Sequence, residues 1–253
     1  MNVRDGATMM AVRPSDLDTG MFGRAVLDYA RMRPGQPLTL LQAGCATAGD
    51  DPDLPRLRDA GVDLSVSLID DDNPVARATV TARNNLARCT LCDLRTAPLA
   101  PRSFDIVHCT LLLERISHPQ IVLDRLVETL KPGGLLLLQT GDRDCAAGFL
   151  DRVLPRPLRA MLWRSLRPGA TGPYPAVYDR LVSERGLESY APRRGLVIAQ
   201  RQPLSLVPVR RRAPALLLVG RLLARLSRGR LTSAHDELRY VIRRPECGYA
   251  RVL

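Results

Sequence analysis

A turn of small residues follows the first apolar run of the sequence. The run Leu38–Ala43 leads into the segment between Gln42 and Asp50, in which Gly44 is the first glycine. Small residues in a turn between a strand and a helix let a ligand approach the backbone, and the N-terminus of the helix offers free N–H groups. A tight packing turn has the same composition, so the turn alone leaves both interpretations open.

Carboxylates follow the second apolar run, Val62–Ile69. Asp70 and Asp71 come directly after it. An acidic residue about 20–30 residues after a glycine turn can accept hydrogen bonds from both hydroxyls of a ribose. Helix capping is the competing role, and it suits Asp72 or Asn73. Asp70 is therefore the best candidate for a ribose ligand.

A third aspartate follows the third apolar run. Asp93 and Leu94 come after Ala87–Leu91, and a carboxylate at this point can accept a hydrogen bond from an exocyclic amine. A solvated loop aspartate is the alternative. Because ligands of open parallel sheets bind beyond the carboxyl ends of the strands, the loops after the three runs are expected to share one site.

Alternating strands and helices must position these loops. The apolar runs are short and continuous, which is typical of parallel strands that are buried on both faces. From residue 38 to 141 the predicted strands and helices follow in this order: Leu38–Ala43, Asp53–Ala60, Val62–Ile69, Pro74–Asn84, Ala87–Leu91, Phe104–Cys109, Pro119–Leu130 and Leu135–Thr140. Outside this region we predict helices at Met21–Met32, Ala146–Leu166, Ala176–Arg185 and Pro214–Arg228, and strands at Leu196–Leu204 and Glu237–Arg244.

Four segments in this order resemble the class I S-adenosylmethionine-dependent methyltransferases, in the group that acts on small molecules. They read AGCATAG, IDDD, CDLRTAPLAPRSFDIV and LKPGGLLLL, and the match covers about residues 38–141. The resemblance implies a Rossmann-like α/β fold. It has a seven-stranded, mostly parallel sheet with helices on both faces, an antiparallel last strand and a helical insertion after the fifth strand.

The resemblance also implies S-adenosylmethionine as the cofactor. Gly44 and its neighbours would contact the methionine part and the ribose, Asp70 would hold the ribose hydroxyls, and Asp93 with Leu94 would contact the adenine. The residues that end the fourth strand would lie near the methyl donor. The expected cofactor-binding residues are Gln42, Gly44, Cys45, Ala46, Asp70, Asp71, Asp93, Leu94, Cys109 and Thr110.

The glycine turn departs from the family pattern. Gln42 stands where relatives usually have an acidic residue, and Ala46 and Ala48 stand where they have glycines. Gln can accept a hydrogen bond but contributes no charge, and a methyl group at a position of close approach costs on the order of 1 kcal/mol or more. Gly49 compensates in part if the turn is shifted by one residue. Weaker cofactor binding or a non-catalytic relative is the alternative to an active enzyme.

Methyl transfer from a sulfonium is a displacement on an activated donor, so the protein mainly aligns the reactants and excludes water. A base is needed only where the acceptor must lose a proton. The candidates for that role are Glu114, where many relatives carry a histidine, and His118, in the loop after the fourth strand. Tyr174 and Tyr178 lie in the insertion that often forms a substrate lid in the family, although packing alone would also explain them. We predict no metal site.

The positive charge of the chain is unevenly distributed. Residues 1–150 carry a net charge of −3 and residues 151–253 one of +14, which raises the hypothesis of a nucleic-acid partner. Against it, the fourth strand ends in His-Cys-Thr-Leu, which is not the signature of a base methyltransferase, and aromatic residues make up only 4% of the chain. A membrane surface is a second alternative, because Pro214–Arg228 combines leucines at helical spacing with flanking arginines. A helix that covers the core has the same pattern.

We expect one domain in four segments: residues 1–37 as an N-terminal segment with a covering helix, 38–141 as the cofactor-binding core, 142–195 as a helical insertion and 196–253 as the final strands with an Arg-rich helix. No apolar run has the roughly 18–20 residues of a membrane span, no signal peptide is evident, and the six cysteines do not form a disulfide scaffold. The sequence thus predicts a cytoplasmic methyltransferase that acts on O, N or C of a metabolite. A non-catalytic scaffold or a nucleic-acid-binding protein is the alternative.

Overall fold

Seven strands form a single mixed sheet in the computed structural model, which describes residues 20–44, 53–83, 86–166, 175–205, 222–227 and 231–246. The strands are β1 Leu38–Ala43, β2 Leu64–Asp70, β3 Arg88–Leu91, β4 Phe104–Thr110, β5 Leu130–Gly141, β6 Val197–Leu204 and β7 Glu237–Arg243. Their order is β3-β2-β1-β4-β5-β7-β6. Only β7 runs antiparallel to its neighbours. The predicted Rossmann-like α/β architecture is confirmed.

Helices cover both faces of the sheet. They are α1 Met21–Arg31, α2 Asp53–Asp59, α3 Pro74–Thr81, α4 Pro119–Thr129, α5 Ala146–Val153, α6 Arg156–Leu166 and α7 Glu184–Arg193. On one face, Phe22 of α1 and Leu57 of α2 pack with Leu40 of β1. On the other face, Leu123 of α4 and Tyr190 of α7 pack over β4 and β5. Each such side chain contributes roughly 1.5–3 kcal/mol when it is fully buried, so the two apolar layers stabilise the sheet from both faces.

The register brings the functional loops to one edge of the sheet. Ala43 at the end of β1 is aligned with Ile69 of β2 and with Cys109 of β4. Because β7 is antiparallel, its first residue, Glu237, lies opposite Gly141 at the end of β5. The loops after five parallel strands and the loop before β7 therefore meet at the same edge.

Some predicted boundaries are wrong. The residues from Ala176 to Tyr178 do not form the predicted helix, since the N–H groups of Val177 and Tyr178 both donate to the carbonyl oxygen of Glu114. The helix in this region, α7, begins only after Ser183, whose hydroxyl accepts from the N–H of Gly186.

Two further boundaries differ in β5 and in the insertion. The fifth strand, predicted to begin at Leu135, already pairs with β4 at Leu130, so the Lys-Pro-Gly-Gly segment before Leu135 lies inside β5. The single helix predicted for Ala146–Leu166 is two helices, because the chain is extended at Leu154, directly before Pro155. The residue before a proline is disfavoured in helical geometry.

The Arg-rich segment Pro214–Arg228 lies mostly outside the described residues. Of the helices that the structure describes, none has the length and apolar character required to cross a bilayer. The division of the chain into four segments stays a prediction.

Candidate functional site

Gly44 lies at the closest approach between two strand ends. Its φ is +91°, its N–H donates to the carbonyl oxygen of Ile69 at 3.3 Å, and a Cβ added to it would lie 2.5 Å from the carbonyl oxygen of Thr110. No other residue type fits both the backbone angle and the space. The backbone of the turn therefore packs directly against the end of β4, with no side chain between them. Cys45 and Ala46, also expected here, lie outside the described residues.

Gln42 is buried inside the sheet edge, with 1% of its surface exposed. Its Oε1 accepts a 2.7 Å hydrogen bond from Nη1 of Arg83, which reaches across from the end of α3. Among the described residues, its Nε2 has no hydrogen-bond partner. A neutral amide held by a cation thus occupies the position where relatives carry an acid.

Asp70 does not face open space. It is fully buried, and its Oδ1 accepts hydrogen bonds from Nη2 of Arg115 at 2.6 Å and from the N–H of Asp71 at 2.8 Å. The side chain of Arg115 is only 5% exposed. The pair therefore fastens the end of β2 to the loop between β4 and α4. Arg115 was not among the predicted site residues, because its only signal in the sequence is a cationic residue in a loop after a strand.

A cleft of about 430 Å³ opens beyond the ends of β2 and β3. Carboxylates, apolar side chains and two arginines line it: Asp71, Asp72, Asp93, Leu94, Arg95, Arg115, Ile116, Ser117 and Val122. The cleft lies within the size range of small-ligand sites and combines apolar walls with a few polar groups, as such sites do.

The two central carboxylates of the cleft have different electrostatic environments. Burial and the nearby charge of Asp70 raise the pKa of Asp71, while Arg115 and the backbone N–H of Leu94 oppose this rise. Asp93 is exposed, and its hydrogen bonds from Arg95 lower its pKa to about 2. Asp93 is thus held at the rim of the cleft by Arg95, whereas Asp71 is half-buried in its lining.

Glu114 lies where β4, β5 and β7 come together. Its Oε2 accepts a 2.9 Å hydrogen bond from the hydroxyl of Thr140. Burial, with a smaller contribution from Glu237, raises its pKa to about 7. Glu237 in turn accepts a 2.7 Å hydrogen bond from Nε2 of Gln139. A carboxyl with a pKa near neutrality can exchange protons with a bound ligand at physiological pH.

Cys109 and Thr110, expected near the methyl donor, and His118, a candidate base, do not lie together in one site. Cys109 is fully buried in the core, where desolvation raises its pKa. The hydroxyl of Thr110 forms a 2.8 Å hydrogen bond with Nε2 of His108. His118 is exposed at the start of α4 with a left-handed φ of 56°, and it is not part of the cleft lining.

Tyr178 packs against the C-terminal end of β5. Its hydroxyl oxygen lies 2.9 Å from the position that a Cβ on Gly141 would take, and its ring edge lies 3.3 Å from the corresponding position on Gly148. The φ of Tyr178 is +46°. The ring therefore sits at the sheet edge near Glu114, while Tyr174, its expected companion, lies outside the described residues.

A buried histidine-carboxylate pair lies beside this edge and was not predicted. Nε2 of His235 forms a 2.9 Å hydrogen bond with Oδ2 of Asp142, and the two side chains are 13% and 2% exposed. The hydrogen bond to Asp142 raises the pKa of His235, although burial opposes it. The pair ties the loop after β5 to the segment before β7. Among the described residues, no group of three His, Cys, Asp or Glu side chains could hold a metal ion.

A family model described as a methyltransferase domain matches residues 20–200, a range that includes Gly44 and the carboxylates after β2 and β3. The chain belongs to the class I S-adenosylmethionine-dependent methyltransferases. A comparison with curated proteins finds none with significant sequence similarity.

Solved structures share the methyltransferase fold. An S-adenosylmethionine-dependent methyltransferase from Mesorhizobium loti is 18% identical, with a TM-score of 0.51 over 86% of this chain and 96% of its own. A putative sarcosine dimethylglycine methyltransferase from Galdieria sulphuraria is 13% identical, with a TM-score of 0.53 over 89% and 84%. The cyclase SpnF is 15% identical, with a TM-score of 0.51 over 88% and 80%. Because a cyclase shares it, the fold alone does not define the reaction.

Proposed function

We propose that this methyltransferase domain binds S-adenosylmethionine and transfers its methyl group to O, N or C of a small molecule. The observation that carries the proposal is the cleft beyond β2 and β3, where a half-buried carboxylate and a rim carboxylate flank an apolar wall. This set of groups suits an adenosine, whose ribose offers two hydroxyl donors and whose base offers an exocyclic amine and an apolar face.

Each part of the nucleoside has a partner in the cleft. Asp71, rather than the buried Asp70, would accept from the ribose hydroxyls, because its carboxylate lines the cleft. Asp93 would accept from the exocyclic amine, and the base would pack between Leu94 and Ile116. The residues present fit the cofactor in this respect, and when bound it supplies a methyl group activated by a sulfonium.

The glycine turn supports the same placement. Gly44 follows β1, which lies between β2 and β4 in the sheet. A side chain there would collide with the backbone of Thr110, so a glycine is required for the chain to leave β1 at this point, beside the carboxyl ends of β2 and β4. Gln42, paired with Arg83, would offer an amide in place of the usual acid.

Glu114 is the group that we propose to receive the proton of the acceptor. Its pKa of about 7 divides it between acid and base forms near neutral pH, and the hydroxyl of Thr140 orients one of its oxygens. An acceptor hydroxyl or ammonium that must lose a proton would donate to the unprotonated form. Tyr178, packed on Gly141 close by, would cover the acceptor and exclude water.

The likeness in fold to solved methyltransferases supports a small acceptor. The neighbour from Galdieria sulphuraria is a putative sarcosine dimethylglycine methyltransferase, and its likeness in fold supports a small-molecule acceptor here. The likeness to the cyclase SpnF keeps a different reaction at the same site as the second candidate. A cyclase-like role would leave cofactor binding intact but yield no methylated product.

Calorimetric titration with S-adenosylhomocysteine tests cofactor binding. We expect binding to the wild type and a loss of about tenfold to a hundredfold in affinity for Asp71→Asn, since a hydrogen bond to a charged group contributes roughly 1.5–3 kcal/mol. Asp63→Asn is the matched control, because Asp63 is exposed just before β2, at the opposite end of that strand. Equal affinities of the two variants would contradict the role of Asp71.

A further inference from the structure

We propose that Arg115 is a positioning residue that holds Asp71 in the orientation required to bind a nucleoside diol. The inference rests on the proposed function, because it assigns a role toward the ligand of the same cleft. Arg115 acts through Asp70: Nη2 of Arg115 donates to Oδ1 of Asp70, and the same oxygen accepts the backbone N–H of Asp71.

The burial of the ion pair makes this link stiff. Asp70 is fully buried, the side chain of Arg115 is 5% exposed, and the contact between them is 2.6 Å long. A buried charge that loses its partner is strongly unfavourable. Without Arg115, the buried carboxylate of Asp70 would lose this ion pair, and a rearrangement of Asp70 would disturb the backbone of Asp71, whose N–H it accepts.

Asp71 is contacted from two sides. Its own N–H donates to Oδ1 of Asp70, and the backbone N–H of Leu94, in the loop after β3, lies close enough to its carboxylate to lower its pKa. The two residues lie at and beyond the ends of β2 and β3, which are parallel neighbours in the sheet. Arg115 adds the third element, the loop after β4, so three consecutive loops converge on one carboxylate. Preorganisation of this kind lowers the cost of ordering a site when a ligand binds.

The charged groups around Asp71 have opposite effects on its ionisation. Asp70 and Asp93 disfavour its ionised form, whereas Arg115 favours it, and burial raises its pKa further. The titratable and charged groups that face Asp71 are Asp70 on β2, Cys92, Asp93 and Arg95 beyond β3, and Arg115 beyond β4. Loss of the Arg115 charge while Asp70 stays charged should therefore raise the pKa of Asp71. As the pH is lowered, Asp71 would then be protonated earlier, so the variant would lose nucleoside affinity at a higher pH than the wild type does.

The test is the dissociation constant of S-adenosylhomocysteine, measured by calorimetry between about pH 5 and pH 9 for four proteins. They are the wild type, Arg115→Met, Arg115→Lys and the double variant Asp70→Asn with Arg115→Met. We expect Arg115→Met to weaken binding by about tenfold or more. As the pH is lowered, this variant should also lose affinity at a higher pH than the wild type does. Arg115→Lys should keep the wild-type pH dependence. The double variant should recover most of the affinity, because an Asn at position 70 can still accept the N–H of Asp71 without a buried charge.

The outcomes separate the two proposals. If the wild type binds and Arg115→Met has the same affinity and pH dependence, the role of Arg115 is overturned and the proposed function stands. A double variant that folds but binds no better than Arg115→Met also overturns it. If Arg115→Met does not fold, the lysine variant and the double variant carry the comparison. If the wild type binds no S-adenosylhomocysteine, the proposed function falls and this inference falls with it.

Discussion

The hydroxyl of Thr140 donates a 2.9 Å hydrogen bond to Oε2 of Glu114, and this contact joins the end of β5 to the loop after β4. It favours the charged form of a carboxyl that burial disfavours more strongly. The balance leaves Glu114 with a pKa of about 7, so its ionisation can be followed through protein stability even before an acceptor is known.

Glu114→Gln should make the free energy of unfolding depend less on pH between acid and neutral conditions. The pKa of Glu114 is raised from 4.5 to about 7, so its stabilising contribution is complete below the lower value and is lost as pH rises through the higher one. Relative to the wild type, the variant should gain on the order of 1–3 kcal/mol of unfolding free energy across this window. Urea denaturation at a series of pH values measures it.

Glu128→Gln is the control, since Glu128 is exposed on α4, and it should follow the wild type at every pH. Thr140→Val removes the hydrogen bond that favours ionisation of Glu114. In this variant, the pH-dependent loss of stability should extend to a higher pH than in the wild type. If Glu114→Gln kept the same pH dependence as the wild type, the raised pKa, and with it the proposed base, would be rejected.

Gly44→Ala should destabilise the fold more than an alanine at another glycine with positive φ. Gly44 combines a φ of +91° with a Cβ position 2.5 Å from the oxygen of Thr110, whereas Gly35 has a φ of +73° and open space around it. Gly35→Ala should cost about 1 kcal/mol. Gly44→Ala should cost about 3 kcal/mol or more, because steric overlap adds to the backbone strain. Thermal and chemical unfolding of both variants gives the difference, and equal losses would show that the strand ends can move apart.

His235→Asn should lose stability in a pH-dependent way. The pKa of His235 is raised by Asp142, so the pair contributes fully below the unfolded value near 6.5 and loses its contribution as pH rises through the folded value. We expect a deficit of roughly 1.5–3 kcal/mol at about pH 6 that narrows toward about pH 9. His118→Asn is the matched control, because His118 is exposed in a left-handed conformation that Asn tolerates. A deficit that does not change with pH would mean that the charge of His235 contributes nothing.

The sheet was predictable because its information is local. Continuous apolar runs bounded by turn residues are the signature of buried parallel strands, and the predicted Leu38–Ala43 strand has the bounds observed for β1. The prediction of a helix at Ala176–Arg185 was wrong because the backbone at its start is hydrogen-bonded to a distant part of the chain. The backbone of Val177 is held by Glu114, more than sixty residues away in sequence.

The burial of Asp70, with Asp71 left to line the cleft, has the same origin. The second strand was predicted to end at Ile69, but β2 continues through Asp70. Successive residues of a strand point to opposite faces, so a shift of one residue changes which carboxylate is buried. The partner that buries Asp70, Arg115, lies 45 residues away, and no local pattern indicates such a pairing.

The most direct test of the account is a crystal structure of the protein grown with S-adenosylhomocysteine. We expect the nucleoside in the cleft beyond β2 and β3, with both ribose hydroxyls on the carboxylate of Asp71, the adenine between Leu94 and Ile116, and the Arg115–Asp70 ion pair intact behind it. A nucleoside bound elsewhere, or a cleft that stays without it at saturating concentration, would contradict the account.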